Sequence, residues 1–423
     1  MIDPWSLAVD LGSRDVKAAR LVGGIAEPLA IAGRAAMPAA VARNDDGGLE
    51  TGDEALVLGA VAPTRLEEAP RRWLANGSTV VIAGEVLPLA EVLGAVLGRV
   101  VDETSRAAGR PPAGLAIGHP AGWPSTRTAV LADAARRVGF ADALLVPEAV
   151  AAVVGCAPAV PAASTWAVFD LGAGSLATAV VGWDAGGWRV VGRPGGHERM
   201  GGDIFDDRLA TLVGQQVSMA DAATWHWLQA DDDVRWQRAR VGLRRAVRAG
   251  REELSVATIT NVQIPALGRT ITVAGEQLAH VVSREVAQCV AALDATIAEA
   301  GLPASWSGPV AVVGGATRTP QIRQALARRF GDRLVLPADP VGVVAIGIAG
   351  VMAGDPAAAV PSWRPAPVPA PVPSVAPVGR RAVPMQVALP VDGRRSSMGG
   401  AVWAVAAAVV LLAVAIGALA ARW

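Results

Sequence analysis

Apolar and polar positions along the chain sort into short strand-like runs, glycine turns and amphipathic helices, and the same succession of elements occurs twice. The first copy opens with Trp5-Ser6-Leu7-Ala8-Val9, breaks at Asp10-Leu11-Gly12-Ser13 and resumes over 16–22. The second opens with Trp166-Ala167-Val168-Phe169, breaks at Asp170-Leu171-Gly172-Ala173-Gly174-Ser175 and resumes over 176–182. Each reads as a β-hairpin, and their placement predicts two like lobes. After the first hairpin the pattern predicts a helix over 89–103, a strand over 114–118, and a helix over 125–138 with Ser125 as its N-cap. A strand over 144–146 then runs into Pro147-Glu148, which opens another helix. After the second hairpin come a glycine turn at Gly201-Gly202-Asp203, an Arg-rich helix over 234–253 and strands near 257–265 and 271–273. A long helix over 276–301 and the buried strand Val310-Ala311-Val312-Val313 close the repeat. Such alternation predicts an α/β fold of mixed sheets with helices on their faces.

The tail has a different character. Pro, Ala and Val dominate from about 355 to 400, as in Pro365-Ala366-Pro367-Val368-Pro369, which predicts an extended spacer rising about 3.1 Å per residue. Residues 401–421 are apolar and free of charge, and about 20 such residues span a bilayer. Arg380, Arg381, Arg394 and Arg395 precede this stretch, whereas only Arg422 follows it. The positive-inside rule therefore predicts a single-pass tail anchor in the cell membrane, with the N-terminal body in the cytoplasm. The first residues show neither a basic region nor an apolar run of signal-peptide length.

At 423 residues, two lobes are expected rather than one core. Lys plus Arg and Asp plus Glu balance at 38 each, which argues against a nucleic-acid partner. Cys156 and Cys289 form no disulfide framework, and His119, His197, His226 and His280 lack metal-ligand spacing. Lys17 is the only lysine. With Arg carrying the remaining positive charge and Tyr absent, its isolation reads as a compositional bias.

The hairpins carry the chemistry. Glycine at a hairpin tip permits close backbone approach, successive N–H groups and a Ser hydroxyl can point at phosphate oxygens, and the Asp can hold a hydrated metal ion. Two such tips at equivalent points predict a phosphate clamp between the lobes. A third motif, Gly314-Gly315-Ala316-Thr317-Arg318-Thr319-Pro320, follows a buried strand and opens a helix, a geometry that lets backbone pack against a flat purine with Arg318 beside it.

With Pro147-Glu148 and the stretch from Asp339-Pro340 to Gly347, the set resembles the ATPase domain of DnaK-type heat-shock chaperones, in the actin and hexokinase superfamily, over roughly 5–353. The resemblance implies a two-lobed, actin-like α/β fold with lobe I over 1–160 and lobe II over 161–354, a terminal helix returning to lobe I. It implies ATP or ADP with Mg2+ as ligands. Asp10 and Asp170 become partners of the hydrated metal. Gly12, Ser13, Gly172, Gly174 and Ser175 become phosphate contacts, with Gly201 and Gly202 at the γ-phosphate. Glu148 matches the carboxylate near the attacking water. Arg251 and Ser255 match the helix beside the adenosine, and Gly314, Gly315 and Arg318 complete that pocket.

The chain also departs from the pattern. Ala177 stands where the family has a second Asp, Arg71 where it has a lysine that orients the attacking water, and Arg248 where a Glu is expected beside the adenosine. The proline-rich stretch and apolar span stand where the family has its peptide-binding β-sandwich and helical lid. The expectation is a membrane-anchored ATP-binding protein whose lobe closure controls a protein partner, with weak or absent hydrolysis. A small-molecule kinase of the same superfamily, or a scaffold of a secretion or envelope assembly with a degenerate nucleotide site, are the alternatives.

Overall fold

The computed structural model describes residues 4–230, 233–264, 267–303 and 305–354. The proposed linker over 355–400 and span over 401–421 lie outside the described residues, among which no helix is long and apolar enough to cross a membrane.

Two mixed sheets carry the fold, and among the described residues they share one plan. In the first, Trp5–Leu11, Asp15–Val22 and Ile25–Leu29 form an antiparallel meander. Gly114–His119 and then Leu144–Pro147 add in parallel on the free side of Trp5–Leu11. In the second, Thr165–Leu171, Leu176–Asp184 and Gly187–His197 repeat the meander, and Val310–Val313 with Leu334–Val335 repeats the parallel pair. The repeat read from the hairpins is thus a repeat of topology.

Strand parity decides what each sheet presents to the other. Trp5, Leu7, Val9 and Leu11 enter a core closed by the helices Leu89–Ala108 and Ser125–Arg137, while Ala8 enters a different core. In the second sheet Ala167, Phe169 and Leu171 join a core with the helices Ser283–Glu299 and Pro320–Phe330, while Trp166 and Val168 turn the other way. Ala8, Trp166 and Val168 share this third core, which lies between the sheets. Asp10 and Asp170 fall on the same parity as these inward residues, near the ends of their strands. Alternation alone therefore turns both carboxylates toward the space between the lobes.

The third core contains two exchanged helices. Glu148–Cys156 follows the last strand of the first sheet but packs on the second sheet, and Val343–Ala353 follows the second sheet but packs on Trp5–Leu11 and Asp15–Val22. The two also pack against each other, so closely that a Cβ on Gly347 would stand 1.8 Å from the Ala151 carbonyl oxygen. Only glycine fits there.

Several predicted boundaries move. The helix expected over 89–103 continues to Ala108 and ends at the left-handed Gly109. Ser125 is the first helical residue rather than the N-cap; Pro124 holds the cap position, and no side chain caps the helix. The long helix expected over 276–301 is two, Gly275–Val281 and Ser283–Glu299. Val282, with ψ near 1°, changes the direction between them, and Leu278, Val282 and Val286 all reach the same core.

Candidate functional site

The two hairpin tips close with the same bond: the Gly12 N–H donates to Asp15 O at 3.1 Å, and the Gly172 N–H to Ser175 O at 3.0 Å. The tips meet at a cavity of about 460 Å³. Asp10, Gly12, Ser13, Gly172 and Ser175 line it from the hairpins, joined by Asp170, Arg71, Glu148 and Gly202. Arg251, Ser255, Gly314, Gly315 and Arg318 line it as well. Gly174 faces instead a larger neighbouring cavity of about 990 Å³, beside Arg72. Gly201 caps the helix Gly202–Ala220 and packs against the Ala173 backbone.

Local chemistry explains these placements. The Gly202 and Asp203 amides donate to Gly172 O and Ala173 O at 2.9 and 2.8 Å, so the first turn of this helix braces the second hairpin. Gly314, at φ 89°, donates its N–H to Pro340 O at 2.7 Å. A Cβ there would lie 2.5 Å from Asp170 Oδ1, so a side chain would collide with the carboxylate. Thr317 Oγ1 donates back to Gly314 O at 2.6 Å and fixes the turn that carries Arg318, which pairs with Asp339 at 3.3 Å at an exposed position. Arg251 is buried and pairs with Asp206. Salt bridges bind the halves beside the cavity: Arg14 to Asp203 at 3.0 Å, and Arg248 to Asp15 at 3.3 Å.

Charge is the dominant feature. Asp10, Glu148 and Asp170 come together in the cavity wall with Lys17 and Arg71, and Asp15, Glu252, Arg14 and Arg248 line it further out. Arg71 Nη1 donates to Glu148 Oε1 at 2.5 Å, both residues buried, and its guanidinium stands 5.5 Å from the Trp123 ring centroid. Lys17 Nζ donates to Asp10 Oδ2 at 3.0 Å. Burial alone would push the Lys17 ammonium pKa down, but Asp10, the hydrogen bond to it, Asp15 and Asp170 together hold it above the ordinary lysine value. Asp170 has no ion pair within 4.0 Å among the described residues. Burial, then repulsion from Glu148 and Asp10, pushes its carboxyl up to about 7, against the opposing pull of Lys17 and Arg71.

An Hsp70 protein family model matches residues 73–358. The chain belongs to the Hsp70 family. Similar curated proteins include chaperone protein HscA homologues. That of Azoarcus sp. is 27% identical over 377 residues, 83% of this chain and 58% of the relative. That of Ralstonia nicotianae is 28% identical over 381 residues, 84% and 59% respectively. In Pseudomonas fluorescens the homologue is 28% identical over 367 residues, 81% of this chain and 57% of its own length. The chain thus spans under three fifths of the length of these relatives. Hsp70 membership implies nucleotide binding, typically with Mg2+.

The residues present fit such a ligand. Oxygen donors on Asp10 and Asp170 suit a hard, hydrated divalent cation, and the missing side chain at Gly314 leaves the space beside Asp170 Oδ1 that a Cβ would fill. When bound, Mg2+ would neutralise phosphate charge. Among Hsp70 positions, Ala177 lies directly across the ladder from Asp170, as Lys17 does from Asp10. Lys17 was therefore visible as a site residue through register, seven positions after its aspartate just as Ala177 is, although composition alone gave it no role. Arg14 lines this cavity and pairs with Asp203, which lines the neighbouring one together with its other partner Arg72; sequence gives no sign of these pairs, which cross between the halves.

The raised carboxyl makes a stability prediction. The folded protein holds the Asp170 proton up to about pH 7, whereas an unfolded chain releases it near the ordinary value of 3.8. The unfolded state then binds fewer protons across this interval, and stability falls as pH rises through it. Asp170→Asn should raise the ligand-free protein's stability at pH 8 by roughly 1–3 kcal/mol and have little effect near pH 4. Denaturant unfolding at the two pH values tests this; equal effects at both would overturn it.

Proposed function

We propose that this chain takes Mg2+-bound ATP between its two lobes, turns it over slowly, and passes the resulting lobe closure to a protein partner at a membrane. One observation carries the reading: both hairpins and both aspartates line a single cavity with the Gly314–Arg318 turn. Backbone amides, Ser13 and Ser175 supply donors for phosphate, while the Gly314-Gly315 turn and the Arg251–Ser255 region supply the flanks for a base and sugar. Closure around a ligand that contacts both halves shifts a two-state equilibrium by its differential contacts. The partner would read that shift, in keeping with the chaperone naming of the HscA relatives.

Slow turnover rests on the Arg71–Glu148 pair. The family resemblance gives Glu148 as the carboxylate for the attacking water, and Arg71 holds one of its oxygens at 2.5 Å. A planar guanidinium held by Glu148 and close to Trp123 cannot act as a mobile ammonium would. Ala177, opposite Asp170, removes a further oxygen ligand from the ion's surroundings.

Calorimetry on the full chain in detergent should show ATP binding strengthened by Mg2+, with Asp170→Ala lowering the Mg2+-supported affinity about tenfold or more. Unchanged binding would remove the metal role from this site. Single-turnover hydrolysis should be slow for the wild type and rise about tenfold or more in an Arg71→Lys, Ala177→Asp double variant, since one positioned group is worth orders of magnitude in phosphoryl transfer. Brisk wild-type turnover that Arg71→Ala leaves intact would refute this part. The apolar stretch over 401–421, with its Arg excess on the N-terminal side, is proposed as the anchor that leaves the body cytoplasmic. Protease added to intact cells should leave the body uncut, and its degradation there would reverse the orientation.

A further inference from the structure

The first hairpin contains a cation of its own. Lys17 lies on the strand Asp15–Val22, directly across from Asp10, on the inward parity shared with Ala19. Its side chain is 14% exposed and lines the same cavity as the hairpin tips. The ammonium sits under the tip itself: Nζ donates to Asp10 Oδ2 at 3.0 Å and to Asp15 O at 3.3 Å. A Cβ on Gly12 would come within 3.0 Å of Nζ, so glycine at the tip also makes room for the ammonium. An ammonium has three donors, and among the described residues Asp10 and Asp15 account for two. The third is available to an acceptor in the cavity.

The opposite hairpin has nothing comparable. Ala177 takes the equivalent place, and Asp170 has no ion pair among the described residues. The two halves of one pseudo-symmetric site therefore differ in pairing, with an ion-paired aspartate on one side and an unpaired one on the other.

We propose that Lys17 is a phosphate-binding residue, a tethered cation that donates to a β- or γ-phosphate oxygen of the nucleotide and takes over part of the neutralisation a metal would otherwise provide. This rests on the nucleotide reading above. Its chemical signature is nucleotide affinity that persists when divalent metal is removed. A charge-assisted N–H to phosphate oxygen is a strong hydrogen bond, and Gly12 and Ser13 of the hairpin tip line the same cavity.

The test compares binding of ADP and ATP to the full chain in detergent, in excess Mg2+ and in EDTA, for the wild type, Lys17→Met and Lys17→Arg. The wild type should retain measurable affinity in EDTA. Lys17→Met should lose about tenfold or more of that affinity while losing much less in Mg2+, and Lys17→Arg, which keeps the charge, should restore part of it. Equal metal-free affinity in wild type and Lys17→Met overturns the proposal while leaving the nucleotide site standing. Absence of binding by the wild type in both buffers overturns both. A second measurement needs no substitution: because Lys17 is the chain's only lysine, protein grown with 13C,15N-lysine reports this ammonium as a single side-chain signal. Saturating ADP in EDTA should shift that signal. A signal unmoved at saturation would overturn the proposal even if the variants misfold.

Discussion

Carboxylates repel, and this fold gathers Asp10, Glu148 and Asp170 around one cavity. Strand parity turns Asp10 and Asp170 toward each other's lobe, and the helix that starts at Glu148 brings the third. Removing such groups from water is costly unless opposite charge accompanies them, and the chain supplies Arg71 to one and Lys17 to another. Asp170 has no such partner among the described residues, and its surroundings push its carboxyl up to about 7. A cation entering the cavity would oppose that rise. The site is thus electrostatically incomplete on one side and satisfied on the other.

Keeping these groups in register requires the hairpins to be held rigidly. The second is braced by helix N-terminal amides at Gly202 and Asp203, and the two halves are tied by Arg14 with Asp203 and by Arg248 with Asp15. Several of these ties engage residues at or beside the phosphate-facing tips. In the function proposed above, a ligand that reorients a tip would alter bonds between the halves.

The sequence exposes those parts of the fold that depend on local pattern. Hairpins, the Val310–Val313 strand and the 234–253 helix follow from periodicity and turn residues, and the repeated Asp-Leu-Gly tips disclose the duplication. What stays hidden depends on tertiary demand. Nothing local in the sequence shows that the helix following Glu276 must turn at Val282 to keep Leu278 and Val286 in one core. Lys17 is instructive for a different reason. Its meaning lies in register, opposite Asp10 and equivalent to Ala177, and a reading by residue counts sees only an isolated lysine in an Arg-rich chain. Gly174 and Gly201 show the converse: a motif can be recognised while two of its members serve a neighbouring cavity or the hairpin's flank.

The exchanged helices have a mechanical consequence. Glu148–Cys156 begins at a site carboxylate and rests on the second sheet, while Val343–Ala353 rests on the first, and at Gly347 they touch backbone to backbone with no side chain interposed. Large interdigitated side chains would lock such a crossing like gear teeth. The Gly347 contact has no such teeth, so in the function proposed above it would serve as a pivot between the two helices, each of which rests on the other half's sheet. On that reading a small displacement at Glu148 would reach the far ends of both helices without melting any element of the core.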